Sequence, residues 1–396
     1  MSDGISLGLS AGRSEKGDNV ALRAVVVGGG LGGMAAAVAL TQVGIDVRVY
    51  EQAQQLTEVG AGVSLAPNGL RMLERLGLAE SIERVGARYM RPQLLFSDGR
   101  PARHEPDQFT RPGQNVGIHR ADLLELLAAQ LPAGTVRTGH RCTGFSQDAG
   151  TATVSFADGT TATADVVIGA DGIHSVLQGF VVAPAKPVFS GVVAYRGLVP
   201  RIDACRADAF AMWVGESRHF LVFPVRAGHL LNYVGFVPSD TSVRESWSAS
   251  SDPAALAAHF AGWDPVIGQI IAAISGPGGS GFQWGMYDRE PLPRWSSGRL
   301  TLLGDAAHPM LPHLGQGVNQ ALEDAVCLAT LLGACGSSND VPGALAAYER
   351  LRRDRTARVQ LDSRWQGDGW DSSGSQLVDR RWIYEYDAWA EAIALA

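Results

Sequence analysis

The residues Gly28-Gly29-Gly30-Leu31-Gly32-Gly33 carry the spacing Gly28-x-Gly30-x-x-Gly33. Glycines at these places suit a main chain that must wrap a pyrophosphate. Gly28 permits a tight turn, Gly30 lets phosphates approach the backbone, and Gly33 allows a helix and a strand to pack closely. Leu31 and Gly32 lie between them, where a helix would begin with unpaired N–H groups and a partial positive charge. Glu51 comes 18 residues after Gly33, with Gln52 behind it. An acid there accepts hydrogen bonds from ribose hydroxyls and repels a 2′-phosphate.

Two more carboxylates follow short apolar runs. Asp171-Gly172 follows Val167-Ile168-Gly169-Ala170, and Asp305 follows Leu302-Leu303-Gly304. Ligands of parallel sheets collect at the carboxyl ends of strands, and Asp305 is suited to accept a hydrogen bond from a polyol such as a ribityl chain. Gly315-Gln316-Gly317-Val318-Asn319 then precedes an apolar helix. Free N–H groups at such a start can stabilise negative charge on a reduced flavin. Any one of these is by itself a turn. Three in this order, all at strand ends, point to a bound dinucleotide of the FAD kind.

Such residues need strands and helices to hold them. Leu22–Val27 is an apolar run interrupted only by Arg23, as expected of a strand buried on both faces. A helix to about Val43 and a strand Asp46–Tyr50 complete a βαβ unit, which begins a parallel sheet. Asn68–Leu78 and Arg120–Leu131 have helical spacing. Ala152–Phe156 and Thr160–Ala164 flank Asp158-Gly159, a hairpin signal. Val166–Gly169 and Arg299–Leu303 read as short buried strands. From about Pro187 to Trp284 the runs Gly191–Leu198, Ala209–Val214, Phe220–Val225 and Leu230–Phe236 predict an antiparallel sheet, followed by a helix near Pro253–Ala261. Ala306–Leu332 and Val341–Gln360 read as mostly helix. The expected fold class is α/β with an α+β insertion. A Rossmann-like dinucleotide-binding domain spans 22–184 and 288–360 and is interrupted by a β-sheet substrate domain, 185–287. A disordered leader (1–21) and an unassigned C-terminal segment (361–396) flank them.

Composition narrows the function classes. The 396-residue chain has a formal net charge of −7 and no basic block, which argues against a nucleic-acid partner. No apolar stretch has the length of a membrane span. The four cysteines, Cys142, Cys205, Cys327 and Cys335, have neither CxxC spacing nor a histidine cluster. Reduced thiols in a cytoplasmic protein, with no metal site, are the expectation. A monomer or a homodimer is expected.

Together the three motifs resemble the group A FAD-dependent aromatic hydroxylases of the para-hydroxybenzoate hydroxylase superfamily. The likeness runs from about Leu22 to Gln360 and again, weakly, at Tyr384-Glu385-Tyr386-Asp387. Within the superfamily the chain is most similar to the branch of salicylate hydroxylase, 6-hydroxynicotinate 3-monooxygenase and 3-hydroxybenzoate 6-hydroxylase. The branch likeness rests on His308-Pro309-Met310-Leu311-Pro312-His313 with Gly315-Gln316-Gly317, on Tyr287–Pro293, and on Arg218-His219-Phe220.

The resemblance implies an NAD(P)H-dependent flavoprotein monooxygenase, with FAD as cofactor and NADH or NADPH and O₂ as co-substrates. It would hydroxylate a small phenolic aromatic or heteroaromatic ring through a flavin C4a-hydroperoxide. Carried over by position, Glu51 holds the adenosine ribose, Arg120 contacts the FAD and the Cys142 backbone lies near the adenine. Asp171 supports both FAD and the nicotinamide cofactor. Asp305 holds the ribityl-pyrophosphate region, Gly315–Asn319 lie against the isoalloxazine, and Ser64 lies near the flavin. His219 and His313 match histidines that face the reacting ring, where an imidazole titrating near neutrality can take a phenol proton. Each is otherwise a hydrogen-bonded structural histidine, as His308 beside Asp305 is expected to be. Met212, Phe223, Tyr233, Trp284 and Pro312 are candidates for an aromatic pocket or for core. No arginine stands out as a carboxylate clamp, and Arg196 faces either the cofactor or solvent.

The chain departs from the family pattern twice. Gln178 stands where most relatives have Arg, and Phe223 where several have Tyr. A flavin-dependent epoxidase or oxidase acting on a non-phenolic substrate is the alternative reading. A non-catalytic dinucleotide-binding protein is a third.

Overall fold

The structure is a computed structural model that describes residues 21–56, 61–102, 111–183, 186–215, 217–240, 252–368 and 377–396. The leader expected over 1–21 lies outside the described residues except for Ala21.

Along the chain, β1 (Arg23–Val27), α1 (Leu31–Gln42) and β2 (Asp46–Tyr50) form the βαβ unit. β3 (Gly62–Leu65) leads into α2 (Pro67–Arg75) and α3 (Ala79–Val85). β4 (Ala87–Arg88), β5 (Arg91–Phe96) and β6 (Val116–His119) precede α4 (Arg120–Ala128) and β7 (Val136–Arg137). β8 (Cys142–Gln147), β9 (Ala152–Phe156) and β10 (Thr161–Ala164) make an antiparallel meander, and β11 (Val166–Gly169) follows. Next come β12 (Val188–Pro200), β13 (Ala209–Gly215), β14 (Arg218–Val225) and β15 (Leu230–Pro238). After α5 (Pro253–His259) and α6 (Pro265–Ile274) come β16 (Ser280–Asp288), β17 (Ser296–Ser297) and β18 (Leu300–Leu302). Helices α7 (Gly317–Gly333), α8 (Val341–Asp368), α9 (Arg381–Tyr384) and α10 (Ala388–Ile393) complete the described chain.

The first sheet has the order β17-β18-β11-β1-β2-β7, and β18, β11, β1, β2 and β7 run parallel. Its register matters for function. Val27, Gly169 and Leu302 stand level in adjacent strands, so the turns beginning at Gly28, Ala170 and Leu303 leave the sheet side by side. This is the carboxyl edge, at the point where the chain goes to one neighbour of β1 and later returns on the other. α1 lies on the sheet with Met34 to Leu40 wholly buried. Burial of that order, about 1.5–3 kcal/mol for each large apolar side chain, stabilises a helix that has no side-chain cap at Gly30.

The second sheet has the order β16-β12-β15-β14-β13-β5. It is antiparallel except where β13 meets β5 in parallel. β5 lies inside 22–184, the stretch the sequence reading assigns to nucleotide binding, so the second sheet is wider than 185–287. A parallel edge strand needs a long crossover, and the sequence signal for it is faint. One face of this sheet is covered by α5 and α6, with Trp213, Phe220 and Tyr233 in that core. α6 is unmarked by the sequence reading, although Asp264 Oδ1 accepts the Val266 N–H at 3.0 Å and Pro265 opens the helix. The opposite face looks toward the first sheet.

The stretch Ala306–Leu332 is mostly helix, as expected, but its first part is irregular. A 3₁₀ turn at Gly304–Ala306 and another at Pro312–Leu314 precede α7. Pro309 and Pro312 remove backbone donors and bias the residues before them away from helix. Gly315 then takes a left-handed φ of 64°. The result is an irregular segment ahead of α7.

Candidate active site

The crevice between the two sheets encloses a cavity of about 490 Å³. One end is built by the glycine loop. Gly28 has φ +111°, and a Cβ there would lie 2.2 Å from the Ala170 carbonyl oxygen. At Gly33 a Cβ would lie 2.0 Å from the Gly28 carbonyl oxygen. Gly30 is the reverse case, because a Cβ there would meet nothing within 4 Å. Gly28 and Gly33 are thus required by internal packing, and Gly30 leaves open space above the start of α1. Gly30, Leu31, Gly32 and Gly33 all line the crevice.

α7 supplies a second such start. Gly315, Gln316, Gly317 and Val318 line the crevice, and α7, like α1, has no side-chain cap. Two uncapped helix N-termini therefore face one cavity, each leaving backbone N–H groups for an acceptor. Cβ atoms at Gly315 and Gly317 would also meet nothing within 4 Å. The arrangement fits FAD, whose phosphates need free backbone N–H groups and whose flat ring needs open space beside glycines.

Asp305 lines the crevice just beyond β18. Its turn is held from beneath by buried Asp324, whose Oδ2 accepts the Gly304 N–H at 3.1 Å and lies 2.5 Å from His308 Nε2. Arg352 donates to Asp324 Oδ1 at 2.8 Å and to Glu323 Oε2 at 2.5 Å. Burial alone would raise the Asp324 carboxyl, but His308 and Arg352 more than offset it and hold it below the usual carboxylate range. His308 is therefore a structural histidine, as the sequence reading expects. The same network reaches the flavin end, since Asn68 Nδ2 donates to Glu323 Oε1 at 2.6 Å and to Gln316 Oε1 at 3.1 Å.

The other end of the crevice is the exposed face of the second sheet. Side chains alternate along each strand. On β14, His219, Leu221 and Phe223 point into the crevice while Phe220 and Val222 point to the helices. Register then puts Asn232, Val234 and Phe236 of β15 on the crevice side. Tyr233 falls on the opposite face, stacked near Phe220 with its hydroxyl donating to the Ser280 carbonyl at 3.1 Å. Its place among the pocket candidates is corrected by this parity. Met212, Phe223, Trp284 and Pro312 do line the crevice.

His219 and His313 come together from different elements, with ring centroids 5.2 Å apart. His219 stacks on Phe236 at 4.2 Å. Burial pushes the His313 imidazole down to about 4, and burial with a repulsive contribution from His313 pushes His219 well below its ordinary value. Both rings are neutral at pH 7, in contrast to the near-neutral titration expected from the residue type. His313 Nδ1 is buried and has no hydrogen-bond partner among the described residues.

Several expected cofactor residues are placed one step back from the cavity. The Asp171 carboxylate caps its own turn, accepting from Ser175 Oγ at 2.6 Å and from the Val176 N–H at 2.8 Å. Burial raises its carboxyl despite these hydrogen bonds. Glu51 accepts from the Gly29 N–H at 2.6 Å and the Ala53 N–H at 2.8 Å, so it shapes the loop. Gln52 is exposed, and the Cys142 side chain is buried. The Asn319 side chain is fully buried and ties Ala66, Ser64 and Gly315 together. Ser64 and Arg120 line the crevice. Gln178 is turned inward, donating to the Ala306 carbonyl at 3.0 Å and accepting from Arg289. A phenol does reach the pocket, though not at position 223: Tyr89 lies 5.7 Å from the Phe223 ring. Tyr89, Asn232 and Arg380 are crevice residues that the sequence reading misses. Alternation from His219 marks the face of β15 that carries Asn232, but no linear signal marks Tyr89 or Arg380.

Residues 21–362 match the family described as FAD binding domain. The chain is 38% identical over 388 residues to a 3-amino-4-hydroxybenzoate 2-monooxygenase of Streptomyces platensis, covering 92% of this chain and 96% of that protein. It is 37% identical over 379 residues to a salicylate hydroxylase of Pseudomonas putida, covering 89% and 86%. Among solved structures, Klebsiella pneumoniae HpxO complexed with FAD and uric acid superposes with a TM-score of 0.78 at 32% identity, covering 88% of each chain.

Proposed function

The chain belongs to the FAD-binding-domain family, in the para-hydroxybenzoate hydroxylase superfamily, and from that premise we propose how it acts as an NAD(P)H-dependent monooxygenase on a small phenolic or heteroaromatic ring. Bound FAD would supply the redox chemistry, taking a hydride from NAD(P)H and activating O₂, so that one oxygen atom enters the ring and the other leaves as water. The start of α1 would hold the pyrophosphate and Asp305 the ribityl hydroxyls, and the N–H groups of Gly315–Val318 would favour negative charge on the ring system. Phe223, Met212 and Trp284 form apolar walls that exclude water and orient the substrate ring.

The observation that carries the reading is the pair of buried neutral imidazoles at the closed end of the crevice. An incoming phenol can donate a hydrogen bond to the neutral His313 Nδ1, and His219 completes the wall behind it. That hydrogen bond orients the hydroxyl and shifts electron density onto the ring carbons ortho and para to the oxygen, the condition for accepting an electrophilic oxygen. A 3-amino-4-hydroxybenzoate monooxygenase and a salicylate hydroxylase as relatives support this over an epoxidase or oxidase on a non-phenolic substrate.

No helix among the described residues is long and apolar enough to cross a membrane. A cytoplasmic monomer or homodimer, where NAD(P)H is supplied and thiols stay reduced, completes the reading.

The test is a screen of the purified yellow protein for NADH and NADPH oxidation with 3-amino-4-hydroxybenzoate, salicylate, 3-hydroxybenzoate and 6-hydroxynicotinate under ¹⁸O₂. Stimulated oxidation with ¹⁸O in the product is expected. Peroxide with no labelled product would turn the assignment to an oxidase, and no stimulation by any ring compound would sink it.

A further inference from the structure

We propose that Arg380, on the C-terminal segment, selects substrates that carry a carboxylate on the ring, which makes this segment part of the substrate site. The inference rests on the hydroxylase reading above. Arg380 lines the crevice and is 8% exposed. Its neighbours in sequence place it at the substrate end. Leu377 packs with Met212, Leu94 and Val214. Val378, Ile383 and Tyr384 pack with Ala66 and Leu314. Met212 and Leu314 both line the crevice, and Leu314 follows His313 in the chain. The chain on either side of Arg380 thus packs on the β13 wall and on the turn that carries His313.

The backbone around Arg380 is fixed on both sides. Val378 donates its N–H to Gln366 Oε1 at 2.8 Å. Arg355 of α8 donates to the Trp382 carbonyl at 3.2 Å and the Ile383 carbonyl at 2.9 Å while holding Glu323 Oε2 at 2.8 Å. Arg71 of α2 donates to the Tyr384 carbonyl at 3.2 Å and the Tyr386 carbonyl at 2.6 Å. A cation whose main chain is clamped in this way presents charge at one defined place, which recognition of a charged substituent requires.

The charge balance of the cavity points the same way. Among the described lining residues the formally charged ones are Arg120, Arg196, Arg380 and Asp305, in a chain whose net charge is −7. Arg120 opens α4 beside Ala61, and Asp305 lies beyond β18, neither on the segment that carries Arg380. Arg196 reaches the Gly62 carbonyl at 3.5 Å and lies 5.8 Å from the Phe282 ring. Arg380 is the cation on the segment whose Leu377 packs with Met212 and whose Val378 packs with Leu314. A carboxylate entering that apolar space loses hydration, and a guanidinium restores it through charge-assisted hydrogen bonds. The unsubstituted phenol gains nothing comparable.

The experiment pairs each acid with its parent: salicylate with phenol, and 3-amino-4-hydroxybenzoate with 2-aminophenol. Binding to the holoenzyme is read from the flavin absorbance, and kcat/KM from NAD(P)H oxidation. Wild type is expected to bind the acid tighter. Arg380→Gln should lower the ratio of kcat/KM for acid over parent by about 10- to 100-fold with FAD content retained, and Arg380→Lys should keep most of that ratio. An unchanged ratio in Arg380→Gln overturns the proposal. So does a wild type that binds the parent phenol as tightly as the acid, which decides the matter even if the Gln variant fails to fold. A wild type that responds to phenols without favouring acids removes only the role of Arg380; one that responds to no ring compound removes the hydroxylase reading itself.

Discussion

His313 shows how narrowly one residue can be constrained. Helix α8 passes it at Gly367, where a Cβ would lie 2.5 Å from the imidazole Cδ2 and 2.6 Å from Nε2. Gly367→Ala must therefore displace the ring or the helix. Overpacking of this kind costs about 1–3 kcal/mol. The variant is expected to retain FAD and lose kcat, measured by flavin absorbance and steady-state turnover; normal turnover would show that the His313 position is not critical. His219→Ala is expected to keep FAD and slow hydroxylation of a phenol, because it removes the wall that holds the substrate ring against His313. Unchanged turnover there would remove His219 from the mechanism. The identities of these histidines are legible in the sequence, and so is their resemblance to residues facing a substrate. Their titration is not, because a neutral imidazole at pH 7 follows from burial and pairing, which depend on neighbours far away in the chain.

At the scale of elements, the glycine loop separates folding from binding. Gly28 faces the Ala170 carbonyl and has a positive φ, while Gly30 faces open space with an extended backbone. Gly28→Ala should destabilise the fold by more than about 1 kcal/mol, since both backbone conformation and contact forbid the methyl. Gly30→Ala should leave the unfolding midpoint of the apoprotein almost unchanged yet weaken FAD binding, because its methyl enters the space assigned to the pyrophosphate. Urea denaturation and a flavin-binding titration on the two variants distinguish these outcomes; equal loss of stability in both would contradict the division. The βαβ unit, the Asp158-Gly159 hairpin and most strands of the second sheet are legible because their periods of 2 and 3.6 are local. Helix α6 and edge strand β5 are not, and the run from Ala306, mostly helix as expected, is irregular at its start because two prolines and Gly315 interrupt it.

For the whole molecule, burial of the two histidines links activity to acid stability. Native His313 gains its proton near pH 4, and an unfolded imidazole near 6.5. Between those values the unfolded chain binds more protons, so stability is complete above about pH 6.5 and is lost as the pH falls toward 4. His313 alone accounts for about 3 kcal/mol of this on a scale of roughly 1.4 kcal/mol per pKa unit. Thermal midpoints should fall steadily from pH 6.5 to 4.5, and His313→Gln, if it folds, should flatten that slope. An unaltered slope would mean the imidazole titrates elsewhere.

The sequence by itself determined the parallel nucleotide-binding sheet, the three strand-end motifs and the FAD-hydroxylase family, because each is written in contiguous residues whose spacing is tied to one local geometry. Only the tertiary structure decided which side chains meet. The pleat sends Tyr233 away from the crevice that Phe223 enters, Asp171 and Glu51 turn into their own loops, and the C-terminal segment packs on Met212 and Leu314 so that Arg380 lines the crevice. Those placements depend on register, strand parity and contacts across hundreds of residues, and no local pattern encodes them.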